Sequence, residues 1–181
     1  KIWNAFRLVK GWETADIEQP KSAEIAVKWF DAKLKEVNEE MQKQFKDYRI
    51  SEALMTVYKL FWDEFSSWYL EMVKPAYGQP IDQKSYDATL RFFDALLKML
   101  HPFMPFITEE LWQHIYDRKD GESIMREKLE IPAPTDEEQK LAADIEAVKQ
   151  IIAGVRTVRN QKNIAQKEQL SLQVVGKNDF E

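Results

Sequence analysis

The sequence predicts an all-α protein, a bundle of five to six helices with the start of a small α/β element at its C-terminal end. Three observations carry that expectation. Only five glycines occur in 181 residues, which favours long uninterrupted elements. Apolar side chains recur at spacings of three and four through most of the chain, the period of an amphipathic helix. Prolines fall where such runs stop, as expected of a residue that lacks an N–H and disfavours helix before it. With 44% apolar residues, the chain is long enough to bury a substantial core.

Ile2 to Lys10 reads as the end of a helix, with Ile2, Phe6 and Val9 on one face and Gly11 as its stop. Its beginning is expected to lie before Lys1, which is not an initiating Met. Ser22 is a candidate N-cap for a long helix whose stripe is Val27, Phe30, Leu34, Val37, Met41, Phe45 and Tyr48. Ser51 can cap the next helix, striped by Leu54, Val57, Phe61, Phe65, Trp68 and Met72 and ended by Lys74-Pro75. Asp82 opens a fourth helix. There Tyr86, Leu90, Phe93, Leu97 and Leu100 form one apolar side and Phe92, Leu96 and Met99 a second, which places it mid-bundle. His101-Pro102 closes it, and Pro105 suits the first turn of a helix running to about Tyr116.

Ser123 to Pro134 reads as an extended strap across the bundle. Thr135 and Glu138 then form a capping box ahead of Leu141, Ile145, Val148, Ile152 and Val155, in a helix expected to persist to about Lys162. Leu170, Leu172 and Val174 alternate with Ser171, Gln173 and Val175, a strand signal. A lone strand is not stable, so residues 1–165 are read as a helical domain and 166–181 as the start of a truncated small α/β element.

The net charge of −5 conceals an uneven distribution. Lys149, Arg156, Arg159, Lys162 and Lys167 follow one another with no acidic residue between them, and Lys1, Arg7 and Lys10 are likewise unopposed. Basic ends on an acidic middle permit a local phosphate-binding face. Arg156 and Arg159, with Lys162 beyond, sit at helical spacing and can track a phosphate backbone; a solvated surface at a helix C-terminus would look the same. Cysteine is absent, which removes disulfides and thiolate chemistry and fits a reducing compartment. No apolar run approaches the roughly 20 residues of a membrane span.

Sites for catalysis are not apparent. No Gly-rich phosphate loop, nucleophile elbow or zinc-protease helix occurs. Of the two histidines, His114 can face Glu110 four residues back, but a metal-binding bundle needs more inward carboxylates. No metal site is expected; His101 is read as capping a helix end and His114 as half-exposed. Asp63 and Glu64 are neighbours that project about 100° apart on a helix and so read as structural. Trp62, Phe65, Trp68 and Tyr69 occupy nearly every side of one helical segment, so some are expected to line a groove or a neighbouring domain, where exposed rings can stack on unpaired bases.

Five segments in order resemble the anticodon-binding domain of the class Ia aminoacyl-tRNA synthetases, and within that family its valine branch. They are KIWNAFR at 1–7, FKDYRISEAL with WDEFSSWYLEMVKP across 45–75, LHPFMPFITEELWQ at 100–113, ESIM at 122–125, and VRTVRNQKNI at 155–164. The resemblance implies a parent enzyme that joins valine to its tRNA with ATP and Mg²⁺, cytoplasmic, monomeric and not membrane-bound. Its reaction centre carries HIGH-like and KMSKS-like motifs, and neither is in this chain. This segment would then be non-catalytic, with the valine-accepting tRNA and the enzyme's own catalytic domain as partners. The resemblance maps Asn4, Arg7, Leu8 and Leu70 onto the anticodon-binding region, with Lys74 nearby. One departure is visible: Leu8 stands where the family often has an aromatic, so ring stacking is given up there. Within LHPFMPFITEELWQ, Pro102 and Pro105 are expected to fix the turn, Phe103, Phe106, Leu111 and Trp112 to fill core, and Glu109 or Glu110 to pair with a basic side chain. A helical protein-interaction module and a free-standing enzyme are the alternative readings.

Overall fold

Helix α1 (Ile2–Lys10) ends at Gly11, whose N–H returns to the Arg7 carbonyl. A Cβ at Gly11 would stand only 3.1 Å from that oxygen, which is why glycine suits the position. The structure, a computed structural model, describes residues 1–165 and 167–173. Two compact units divide between Ala143 and Asp144, within the last helix.

In the first unit, β1 (Thr14–Ala15) leads to α2 (Lys21–Lys46). The predicted Ser22 cap is not used, because the helix starts earlier, after Pro20, with no side-chain cap. At the far end the Arg49 N–H reaches the Gln44 carbonyl at 2.8 Å and the Tyr48 N–H reaches Phe45 at 3.1 Å, a Schellman closure. Its left-handed position is Tyr48, with φ 58°. The reading of Tyr48 as part of the buried stripe is therefore corrected: the closure turns its side chain out, 89% exposed. Ser51, expected as a cap, lies inside α3 (Ile50–Lys59), because Arg49 already takes the N-cap position.

From Leu60 to Tyr69 the helix widens into a π-helix before returning to α in α4 (Leu70–Val73). Ser66 and Ser67 donate through Oγ to the carbonyls of Phe61 and Trp62, five residues back, both at 2.9 Å. Four residues advance an α-helix by more than a full turn, so an i+4 stripe drifts by about 40° per step. The wider winding turns less per residue and counters that drift. Val57, Phe61, Phe65, Tyr69 and Val73 consequently all stay buried, whereas an α-helical register predicts Trp68 and Met72. The segment ends at Lys74, extended at ψ 135° before Pro75.

β2 (Ile81–Asp82) pairs in parallel with β1, Thr14 opposite Ile81 and Ala15 opposite Asp82. Asp82 then caps α5 (Gln83–Leu100), accepting from the Ser85 N–H at 2.8 Å. α5 is central, as its two apolar sides predict. Phe92 meets Phe30 of α2 and Tyr69, with ring centroids 4.9 and 5.3 Å apart, while Phe93 meets Phe6, Phe61 and Phe65. Phe30 also packs on Phe65 and Tyr69 at 5.3 and 5.0 Å. Offset and edge-on aromatic pairs of this kind add about 0.5–1.5 kcal/mol each beyond their buried area.

α6 (Pro105–Ile115) starts on proline as expected and buries Leu111 and Trp112 completely. Phe106, expected in the core, is 90% exposed; it sits in the first turn, on the side away from Leu111 and Trp112. His101 Nδ1 lies 2.8 Å from Thr108 Oγ1, across the α5–α6 corner, and exposed His114 lies 3.3 Å from Glu110. The strap follows, opened by a 3₁₀ turn at Ile124–Arg126. Glu109 holds its start, accepting from Ser123 Oγ at 2.7 Å and the Ile124 N–H at 3.4 Å, and from Gln113. At Glu109 the partners are thus hydroxyl, amide and backbone donors, and of the two glutamates it is Glu110 that lies against a basic side chain, His114. Burial pushes the Glu109 carboxyl up, but these hydrogen bonds outweigh it and hold it below its usual range.

α7 (Asp136–Lys162) begins with the predicted capping box, the Thr135 N–H donating to Glu138 at 2.9 Å and the Glu138 N–H to Thr135 Oγ1 at 3.3 Å. Lys35 ties this start to α2 through Glu138 at 2.5 Å and Asp31 at 2.8 Å. Within the second unit, α7 closes as a Schellman turn on Asn163, φ 52°. Leu170 to Gln173 carry no regular structure, and the Val174 and Val175 part of the expected strand lies outside the described residues.

Candidate nucleic-acid interface

The cations of α1 have unequal freedom. Lys1 Nζ lies 3.7 Å from the Trp62 ring centre, and Lys10 Nζ donates to the Ile115 carbonyl at 3.3 Å, where it complements the C-terminus of α6. Arg7 is exposed and, among the described residues, its side chain joins no hydrogen bond or ion pair. The residue borders an open depression of ≈ 660 Å³ between the C-terminal end of α1 and the loop after α4. Leu8, Trp12, Lys74 and Tyr77 border it too, with Glu13 as its one acidic side chain.

Three of the five residues mapped to the anticodon region, Arg7, Leu8 and Lys74, are thus brought together. Lys74 also pairs with Glu71 at 2.6 Å, an exposed contact of small net worth that a phosphate could displace. Asn4 is exposed on the same face of α1, one turn before Leu8, and does not border the depression. Leu70 is buried at 3% exposure, because the π-helical winding turns it inward beside Tyr69. It is core and cannot offer a face to a base from this position.

Sequence reasoning missed Tyr77 and Trp12. Tyr77 is the more telling, with 106% relative exposure. A signal existed: Ala76-Tyr77-Gly78-Gln79 has glycine third in a four-residue turn, which presents the second residue at the tip.

Arg156, Arg159 and Lys162, near the end of α7, belong to the second unit. Arg156 and Lys162 are exposed. Arg159 is half-buried, and its Nη1 and Nη2 donate to the carbonyls of Ala165 and Glu168, both at 2.7 Å. It fastens the chain that leaves the helix, so part of its donor set is already used. Among the described residues no group of three or more His, Asp or Glu side chains could hold a metal ion. No helix there is long and apolar enough to cross a membrane.

Fold and groove together define a class, a mostly helical bundle with a minor two-stranded sheet and an open, cation-bordered groove beside its first helix. Residues 27–175 match the family described as the anticodon-binding domain of tRNA ligase, and the chain belongs to that family. Similar proteins include the valine–tRNA ligase of Phocaeicola vulgatus, 66% identical over 178 residues and covering 98% of this chain and 20% of that protein. Those of Christiangramia forsetii and Bacillus cereus are 46% and 32% identical, again over nearly all of this chain. The chain spans about 20% of the length of the curated relatives it matches.

Proposed function

We propose that this chain holds the anticodon stem and loop of a valine-accepting tRNA, as one domain of an ATP-dependent, cytoplasmic and monomeric valine–tRNA ligase. The observation that carries the reading is identity of 66% to such a ligase across 98% of the chain, together with the family match to an anticodon-binding domain. The groove supports it. Arg7 and Lys74 supply positive charge, and Leu8 and Trp12 supply apolar surface, which together suit unpaired bases on a phosphate backbone. In the second unit, Arg156, Arg159 and Lys162 are read as phosphate contacts that add affinity without reading sequence.

The described residues do not fit ATP and Mg²⁺: they offer no carboxylate cluster for the ion and no glycine-rich loop for the phosphates. Amino-acid activation is therefore assigned to the catalytic domain of the parent enzyme, with which this domain would work in one chain. Two measurements test the reading. Purified alone, this segment is expected to give no valine-dependent pyrophosphate exchange. The full-length protein is expected to bind valine tRNA more tightly than the same tRNA with altered anticodon bases; equal affinity for the two would overturn it.

A further inference from the structure

We propose that Tyr77 is a base-stacking residue of the groove, supplying from the loop after α4 the aromatic face that Leu8 does not supply from α1. The inference rests on the anticodon reading above and extends it to a residue that the family resemblance does not single out.

The turn that carries Tyr77 is built. The Gln79 N–H bonds to the Ala76 carbonyl at 2.9 Å, and Gly78 adopts φ 73°. Glycine in that conformation at the third position is the signature of a type II turn, which leaves the second residue at the apex. A Cβ on Gly78 would meet nothing within 4 Å, so backbone conformation rather than crowding selects glycine there. The turn is also anchored on both sides. Pro75 restricts its entry. At its exit the Ile81 N–H donates to the Glu13 carbonyl at 2.8 Å, and β2 pairs with β1. The ring is therefore presented from a fixed base beside the end of α1, and little backbone entropy remains to be lost on binding.

Nothing in the described residues occupies the ring. Tyr77 makes no ring contact or hydrogen bond there, and its exposure exceeds that of every other large apolar or aromatic side chain in the bundle. An exposed ring alone means little. Here, however, it borders the same depression as Arg7, Lys74, Leu8 and Glu13. An open groove that combines an aromatic face, an apolar patch, two cations and one acceptor matches a flat group with apolar faces, polar edges and an attached phosphate. An unpaired nucleobase has that chemistry. The mixed charge matters too, since Glu13 would repel a bare phosphate but can accept from an exocyclic base amine.

The test uses the full-length protein and valine tRNA carrying 2-aminopurine at each unpaired anticodon-loop position in turn. With Tyr77→Ala we expect affinity to fall by about 5- to 150-fold, the equivalent of one lost stacked base. Fluorescence at one loop position should also be brighter in the variant complex than in the wild-type complex. Tyr77→Phe should keep both the affinity and the quenching. Unchanged binding by Tyr77→Ala, with Arg7→Ala still weakening it, would overturn the role of Tyr77 and leave the groove reading standing. No effect from either variant would overturn both. A defect in aminoacylation with unaltered tRNA affinity and quenching would place Tyr77 against protein instead and would also overturn the proposal. Circular dichroism checks folding, which a fully exposed side chain should not disturb.

Discussion

The hydroxyl of Tyr69 lies 2.8 Å from Thr89 Oγ1, and Thr89 in turn donates to the Ser85 carbonyl at 2.7 Å. Because the one Thr89 proton is committed to Ser85, the Tyr69 O–H must be the donor. The π-helix is thereby locked to α5 by a buried chain of hydrogen bonds, and burial pushes the Tyr69 phenol well up. Tyr69→Phe removes one neutral hydrogen bond and keeps the ring, so it should cost about 0.5–1.5 kcal/mol. Tyr69→Ala also loses the packing and should cost roughly 3–5 kcal/mol. Urea unfolding followed by circular dichroism checks the order; equal losses would mean the hydroxyl chain dominates over packing.

Tyr48 holds a left-handed conformation that costs an L-residue about 1–2 kcal/mol, and its side chain is 89% exposed. Glycine relieves that cost and adds roughly 0.5–1 kcal/mol of unfolded-state entropy. Tyr48→Gly should accordingly raise stability by a few tenths to about 1 kcal/mol, while Tyr48→Ala should bring no such gain. Thermal unfolding of both variants separates backbone strain from any effect of the side chain itself.

Leu70→Ala should cost roughly 2–5 kcal/mol of folding stability without changing the ratio of affinities for valine tRNA and an anticodon-altered tRNA. A specific loss for the valine anticodon at unchanged stability would return Leu70 to the groove.

These two residues mark where sequence legibility stops. Helix ends governed by local chemistry were readable, as with the Thr135–Glu138 box, the Asp82 cap, Pro105 in a first turn and Lys74-Pro75 as a stop. The central place of α5 was readable because its apolar residues cover two sides. The inward turn of Leu70 was not, since α-helical periodicity cannot register a change of winding at Leu60. Tyr48 misled for a related reason: it continues the spacing of the α2 stripe, yet the backbone closure after Lys46 reverses its side chain. In the groove, Arg7 and Leu8 were accessible through resemblance. Tyr77 acquires meaning only when the β1–β2 pair brings its turn beside α1.

Glu109 predicts a pH dependence. Its folded-state value lies below the usual 4.5, so its contribution to stability is fully present above that pH and is lost as pH falls through the folded-state value. The stability difference between wild type and Glu109→Gln should therefore stay constant above about pH 5 and shrink below about pH 4. Denaturation midpoints across pH 3 to 7 measure it, and a gap that persists undiminished at pH 3 would contradict the carboxylate as the anchor of the strap.

In the second unit, replacing Arg156 and Lys162 by Ala should weaken different RNAs alike and lower the magnitude of the log–log salt slope by about 0.7–0.9 for each phosphate no longer neutralised. Arg159→Ala should behave differently, because its guanidinium also fastens Ala165 and Glu168. Increased proteolysis after Asn163 is expected for that variant.

The pairing of Thr14–Ala15 with Ile81–Asp82 has a kinetic corollary. The two walls of the groove come from chain segments separated by the whole of α2, α3, the π-helix and α4, so they meet only after a large loop has closed. Pairings of such long sequence separation form late in folding. A nascent or partly denatured chain can thus hold much helix and still have no groove, so helix content alone does not report that the groove has formed.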